Sequence, residues 1–452
     1  MTIQHKPALT DDERFPLLKD RRLLNELRQD SHAPKLNFAS GDRLDKGALL
    51  RVKKYARQIK KGKFWQAGSF PADLPAFYRW CRERVPAYRD YPEDFTASPT
   101  LRREAIAERP WLFVADDSRL EDLLVYSTSG TTGSPMPVLF DPDSQACWIP
   151  QLESILEQDG IRLEGGPDRV SICLVCLQKE TLTYASLSTY LNGAGVLKIN
   201  LNSSDWGNPN DPVAYLEKYN PEIITGDPFT FMALIRMAPE IRPKAMISSA
   251  MVLQQGLRKK LEKHFKCPVY DIYSLTECRM IAVSRKPSVH RLIRPELFVE
   301  IMDPDRDVVL PDGEVGEIVV TGGSNPFLPF VRYRTGDFAR IQYGRGFVEL
   351  HDLQGRAPCI LVDDAGRFVN NVDVSRELCR FMLAGYSLHQ KADRSVIFCG
   401  WGENIEKNEI KKALQAIFGE KIKLRVSIKT EILNAAKKVQ FSSEIEKADF
   451  KR

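Results

Sequence analysis

Residues 127–135 read Ser127-Thr128-Ser129-Gly130-Thr131-Thr132-Gly133-Ser134-Pro135, directly after the apolar run Leu123-Leu124-Val125-Tyr126. Small hydroxyl residues and glycines at this density suit an anion cradle. Glycine lets the backbone turn and approach an anion, while Ser and Thr hydroxyls and free N–H groups donate to its oxygens. The spacing is not that of the Walker loop, which requires Gly-x4-Gly-Lys followed by Ser or Thr. A Ser/Gly run also makes a flexible linker, but here the flank is apolar and further motifs follow in fixed order. These are Asp271-Ile272-Tyr273-Ser274-Leu275-Thr276-Glu277, Gly313-Glu314-Val315-Gly316-Glu317, Arg332-Tyr333-Arg334-Thr335-Gly336-Asp337 and Gly355-Arg356. Cys173 and Cys176 are spaced like half a zinc site, but they lie in the apolar run Val170–Leu177 and no second such pair exists, which argues against a metal there.

Strand and helix patterns alternate behind the cradle. Val170–Leu177 predicts a strand, Leu182–Tyr190 a helix, Val196–Leu201 a strand and Pro212–Lys218 a helix. Glu222–Thr225, Ala245–Ser248 and Val269–Ile272 predict strands, with helices at Phe229–Met237 and Leu257–Phe265 between them. This alternation predicts parallel βαβ units in layered α/β sheets. Such folds bind ligands at the carboxyl ends of strands, and Tyr273–Glu277 falls just past one. Upstream, Leu74–Val85 has helical spacing, and Thr100 is placed to cap a short helix. Residues 296–350 become short and β-rich between Pro, Gly and Asp turns. In the last segment, strands at Ser395–Cys399 and Leu424–Ile428 flank a helix, Glu406–Phe418, with Ile410, Ala413, Leu414 and Ile417 on one stripe.

The chain has 452 residues, 43% hydrophobic and 28% charged, which predicts a soluble globular protein of two or three domains. It has no run of 18 apolar residues and no hydrophobic core in Met1–Asp11, so a cytoplasmic location with reduced thiols is expected. The net charge of +5 is modest. It concentrates in Lys19–Arg28 and Arg51–Lys63, where a solvated helix face is the default explanation. No nucleic-acid-binding module is recognisable.

Taken together, the four motifs and the cradle resemble the adenylate-forming superfamily of acyl-CoA synthetases, adenylation domains and luciferases. The shorter phenylacetate–CoA ligase-like branch matches best, over about residues 75–440. Residues 1–70 read as a polar, helical extension with little clear core periodicity, which the resemblance does not explain. The resemblance implies a large AMP-binding domain at 71–354. That domain would consist of layered α/β sheets closed by a small β-barrel-like part, with a mobile α+β lid at 355–452. It also implies activation of a carboxylic acid with ATP and Mg²⁺, then transfer to a thiol, CoA first. Carrier-protein pantetheine, amide formation in a biosynthetic pathway and a non-catalytic nucleotide-binding homologue stay open as alternatives. A homodimer is the general expectation for such enzymes.

By this resemblance, Ser127, Thr128, Ser129, Gly130, Thr131, Thr132 and Gly133 hold the β and γ phosphates. Met136 stands where longer members carry Lys. Thr276 contacts phosphate and Glu277 holds Mg²⁺. Tyr273 stacks on adenine, Asp271 accepts from its amino group, and Ala250 belongs to the same nucleotide site. Gly336 allows a tight turn that presents Asp337, whose two oxygens match the vicinal ribose hydroxyls, and Arg356 is the hinge arginine. Lys438 is the candidate adenylation lysine, although a basic surface helix end explains Lys437-Lys438 equally well. The acid pocket is assigned to Tyr184, Tyr190 and Met251, suggesting a flat, aryl-sized substrate. After Gly355-Arg356 the usual pair of hinge acids is missing, and Asp363-Asp364 reads as a hairpin turn.

Overall fold

The computed structural model describes residues 9–127, 136–286, 288–323, 325–355, 359–431 and 439–445. Three helices open the described chain: α1 (Asp11–Arg14), α2 (Arg22–Gln29) and α3 (Lys46–Lys61). The composition of residues 1–70 showed little core periodicity, yet Phe15, Leu23, Leu24, Leu27, Val52 and Ile59 are all buried. Several cations of the two basic stretches are paired with carboxylates. Arg28 meets Asp11 at 2.7 Å, Arg51 meets Asp143 at 2.6 Å and Lys60 meets Glu157 at 2.6 Å.

Helices α4 (Leu74–Arg84) and α5 (Arg103–Glu108) precede the hairpin of β1 (Leu124–Ser127) and β2 (Pro137–Phe140), which brackets the Ser/Gly-rich loop. Thr100 is not a helix cap: its hydroxyl donates to Asp307 at 2.8 Å and accepts from Arg334 at 2.9 Å. Two helices follow, α6 (Pro142–Ala146) and α7 (Trp148–Leu156).

The central strands are β3 (Val170–Cys176), β4 (Tyr184–Ser188), β5 (Ala194–Asn200), β6 (Ile223–Gly226), β7 (Ala245–Ser248) and β8 (Val269–Leu275). Helices α8 (Asp211–Tyr219), α9 (Pro228–Met237) and α10 (Gln255–Phe265) are the crossovers, and β5, β3, β6, β7 and β8 run parallel in that order. Local chemistry sets each helix start. The Asp227 carboxylate accepts from Thr230 N–H at 2.9 Å and Pro228 fills the first helical position, where its missing N–H costs nothing. Successive residues of these strands feed different cores. Ile224 and Met246 join the core under α2, α8, α9 and α10, whereas Ile223, Ala245 and Ile247 join the one under α7. Cys173 and Cys176 are buried members of β3, and the Cys176 thiol donates to the Ile199 carbonyl.

The predicted helix at 182–190 is instead β4, pairing antiparallel with β5 at the end of the sheet. The backbone just before it is tied to the N-terminal segment, with Asn37 and Phe38 N–H groups donating to the Thr183 carbonyl.

The β-rich stretch also departs from expectation. Beyond β8 come β9 (Arg279–Lys286), β10 (Val289–Leu292), β11 (Phe298–Met302), β12 (Gly316–Gly322), β13 (Phe330–Gly344) and β14 (Phe347–Gln354). They extend the same sheet, in the order β11-β12-β13-β14-β10-β9-β8-β7-β6-β3-β5-β4, and close no barrel. Because β10 pairs with both β14 and β9, the antiparallel strands are stitched onto the parallel ones and do not curl back on themselves.

After Gly355, the short hairpin of β15 (Leu361–Val362) and β16 (Phe368–Val369) has Asp363 at its turn, as read from the sequence. Helices α11 (Asn371–Leu378) and α12 (Lys407–Phe418) then pack on a sheet of β17 (Leu383–Gln390), β18 (Val396–Gly402), β19 (Leu424–Lys429) and β20 (Phe441–Ser443). This unit docks onto α9. The Phe229 and Trp401 rings meet edge-on at 5.9 Å, and a Cβ at Gly385 would stand 3.0 Å from the Phe229 ring. Glycine there lets β17 lie close enough to face the large sheet. Among the described residues no helix is long and apolar enough to cross a membrane.

Candidate active site

A cavity of about 890 Å³ opens at the carboxyl ends of the parallel strands. Thr276, Glu277, Ala250, Asp271, Tyr273, Asp337, Tyr184 and Met251 all line it. Tyr190 does not. Its hydroxyl donates to Glu153 at 2.7 Å and its ring packs against the core under α7, so its assignment to the acid pocket is corrected. The reason lies in β4: once residues 184–188 are extended, Tyr190 falls in the turn beyond the strand. Thr128, Ser129, Gly130, Thr131, Thr132, Gly133, Arg356 and Lys438 lie outside the described residues. Of their described neighbours, Gly355, Val439 and Gln440 line the cavity, and Ser127 ends β1.

Two carboxylates are held by buried phenols. The Tyr273 hydroxyl donates to Asp337 Oδ2 at 2.9 Å, and the Tyr333 hydroxyl donates to Glu277 Oε1 at 2.7 Å. Burial, and then the neighbouring carboxylate charge, push both phenols well above their ordinary range. They therefore stay protonated donors, and each holds its carboxylate in a fixed orientation. The Tyr273 ring is a buried wall of the cavity.

Asp337 is presented not by a tight turn but by a bulge within β13, opposite Ile318 of β12, and the bulge is clamped from three sides. Gly336 N–H donates to Glu317 Oε1 at 3.1 Å, Thr335 hydroxyl donates to the Ile318 carbonyl at 2.8 Å, and Asp337 N–H donates to Thr335 Oγ1 at 3.2 Å. Glu317 is itself held by Arg334 at 2.5 Å. Gly336 has φ +77°, and a Cβ there would meet nothing within 4 Å. Gly336→Ala is therefore expected to cost about 1 kcal/mol through backbone strain alone, read as a lower urea midpoint at unchanged slope.

Asp271 is more committed than its sequence reading implied. Its Oδ2 accepts from Leu253 N–H at 3.0 Å and lies 3.8 Å from His290 Nε2, which leaves less of the carboxylate for a ligand. Ala250 sits in the left-handed region at φ +69°, a conformation a non-glycine residue holds only where its surroundings enforce it.

Lining residues that had no role in the sequence reading include Tyr333, Gln145, Trp148 and Arg279. Tyr333 stood inside a motif as a spacer. Arg279 carried one usable signal, a cation at the head of the apolar run Met280-Ile281-Ala282-Val283. Its guanidinium lies 3.9 Å from the centre of the Phe140 ring.

A single carboxylate beside an exposed threonine suits Mg²⁺ better than zinc or calcium. Magnesium is held through one or two carboxylates, with water and substrate phosphates completing its octahedron. No cluster of three or more metal-ligating side chains occurs among the described residues.

Comparison with known proteins agrees with this layout. Residues 95–325, just over half of the chain, match the AMP-binding enzyme family. Phenylacetate-coenzyme A ligase of Pseudomonas putida is 26% identical over 263 residues, covering 54% of this chain and 56% of that protein. CapK of Staphylococcus aureus is 22% identical over 312 residues, covering 65% and 67%. The chain thus spans little more than half the length of the phenylacetate ligases it matches. Among solved structures, 2-hydroxyisobutyryl-CoA ligase with its acyl-AMP superposes with a TM-score of 0.53 at 16% identity, over 90% of this chain and 88% of that one, and shares the fold. This chain belongs to the AMP-binding enzyme family, in its phenylacetate–CoA ligase-like branch.

Proposed function

We propose that the protein activates a carboxylic acid with ATP, forming an acyl-adenylate and pyrophosphate, and passes the acyl group to a thiol. The observation that carries this reading is the pairing of Glu277 and Asp337 on one cavity wall, each fixed by a buried tyrosine. Asp337 would accept from the two ribose hydroxyls and Tyr273 would stack on adenine. Thr276 would donate to a phosphate oxygen, and the loop 128–133 would hold the β and γ phosphates at the mouth of the β1–β2 hairpin. Glu277 would hold Mg²⁺, which supplies positive charge against the triphosphate oxygens when bound.

The carboxyl oxygen attacks the α-phosphorus, a P–O bond to it forms, and the bond to pyrophosphate breaks. Two anions must meet, so orientation and charge neutralisation dominate the barrier. Lys438 would supply one more cation: Val439 and Gln440 line the cavity, and Gln440 donates to the Tyr386 hydroxyl at 2.6 Å. Residues 1–70, 71–354 and 355–452 would serve as extension, AMP-binding domain and lid. Rotation of the lid would then admit the thiol. CoA is the first choice of acceptor, supported by the ligases this chain resembles.

Acid- and Mg²⁺-dependent ATP–pyrophosphate exchange, followed by a thioester assay with CoA, tests this. Exchange with CoA thioester is the expected result. Exchange without CoA thioester would move the acceptor to carrier-protein pantetheine or an amine, and no exchange with any acid would overturn the reading. In the same assay Tyr333→Phe, which removes only the hydroxyl on Glu277, is expected to lower exchange about tenfold, the worth of one hydrogen bond to a charged group.

A further inference from the structure

The cavity holds a cation that none of these steps uses. Arg279 opens β9 directly opposite Leu275 of β8, two residues past Glu277. Its guanidinium lies 3.9 Å from the Phe140 ring centre and 6.0 Å from that of Tyr126, on the β1–β2 hairpin. Among the described residues Nε and Nη2 are buried with no hydrogen-bond partner, while the side chain as a whole is half-buried and forms part of the cavity wall. Ring faces attract a guanidinium but satisfy none of its N–H groups.

Its electrostatic neighbours are the hydroxyls of Tyr126 and Tyr184, the Cys147 thiol and the like-charged Arg294, and burial pulls its pKa down to about 10. It therefore stays charged at neutral pH, and among the described residues the groups that bear on it most include no carboxylate. A cation largely removed from water without a counter-charge is costly. The backbone adds to this, since Arg279 has φ +65°. Strain of this kind concentrates where a site needs a side chain held in one direction.

Arg279 and Glu277 face different neighbours. Glu277 is held by Tyr333 on β13, whereas Arg279 reaches toward β1, β2 and Tyr184 on β4. With the reacting carboxyl assigned to the Thr276–Glu277 turn, a guanidinium on the Tyr126, Phe140 and Tyr184 side of the cavity wall is free for a second anionic group.

We infer that the acid activated here is a dicarboxylic acid whose second carboxylate is held by Arg279. This rests on the adenylation reading above and narrows its substrate class. The first carboxylate attacks phosphorus, and the second stays ionised and unreacted against the guanidinium. A planar two-donor guanidinium matches a carboxylate edge.

The test compares diacids, malonate to adipate and the three phthalates, with monoacids of matched length in pyrophosphate exchange. The native protein is expected to favour a diacid. Arg279→Met is expected to lower the diacid-to-monoacid ratio of kcat/KM by roughly 10²–10³-fold, the loss seen when one partner of a buried charge pair is truncated. Arg279→Lys should recover part of that ratio while thermal melting shows both variants folded. Native exchange with monoacids in preference to every diacid would overturn the inference and leave adenylation standing. An equal loss for both acid classes in Arg279→Met would also overturn it, placing the arginine at the reacting carboxyl. Exchange with no acid would overturn the adenylation reading and the inference with it.

Discussion

Glu277→Gln is expected to lower acid-dependent pyrophosphate exchange by roughly 10²–10³-fold, the usual cost of deleting one electrostatic group from a catalytic site. The substitution separates charge from shape. Glu277 is buried and accepts from the Tyr333 hydroxyl at 2.7 Å, and a glutamine oxygen can accept the same bond. The side-chain volume is conserved, so the melting temperature should hold while the negative charge disappears. If that charge holds Mg²⁺, the Mg²⁺ concentration giving half-maximal exchange must rise with the loss of rate. Full exchange at ordinary Mg²⁺ in a folded Glu277→Gln protein would remove Glu277 from the metal site. The milder Tyr333→Phe change keeps the charge and loosens only its orientation. The two variants therefore rank charge above positioning, and a larger effect from Tyr333 would reverse that order.

The parts of this site that were legible in the sequence are those carried by strand ends. Apolar runs such as Val269–Ile272 and Ala245–Ser248 are buried on both faces because parallel strands are covered on both sides, so their ends, with Thr276 and Glu277 beyond, could be placed by pattern. The same property hid β4. Tyr184–Ser188 is buried at nearly every position, so no in–out alternation marks it, and tyrosines and leucine at irregular spacing imitated a helix. What covers it is α2, whose Leu23 and Leu27 share a core with Ala185 and Leu187, an arrangement that no local window contains.

Pairing partners were likewise invisible. Whether 296–350 closes on itself or joins a neighbouring sheet depends on β10 bonding both β9 and β14, and short β-rich runs read alike in either case. The role of Arg279 was out of reach for a related reason: its meaning lies in what fails to face it, a property of β1, β2 and β4 together.

Arg332→Met is expected to destabilise the fold by about 3–5 kcal/mol, the cost of removing one partner of a buried ion pair. Arg332 and Glu300 are 3% and 8% exposed and meet at 3.1 Å. The guanidinium also donates to the carbonyls of Ser98 at 2.7 Å and Thr96 at 3.2 Å. Burial already holds the Glu300 carboxyl above its ordinary range, with the Arg332 charge as the main opposing influence. Without Arg332 that opposition is gone and burial acts alone.

The pH dependence follows in sign. A carboxyl whose folded pKa exceeds its unfolded value binds more protons when folded. Stability therefore falls as pH rises from the ordinary glutamate value through the folded one, and it is recovered on acidification. Arg332→Met should steepen that fall, and adding Glu300→Gln should flatten it and return part of the lost stability, because the stranded charge is gone. Urea unfolding of the four members of this cycle at pH 5 and pH 8 reads both effects. A double mutant no better than Arg332→Met would mean that the Ser98 and Thr96 carbonyls, and not Glu300, are what Arg332 is there to satisfy. An unchanged midpoint for Arg332→Met at pH 8 would mean that the fold depends on neither interaction.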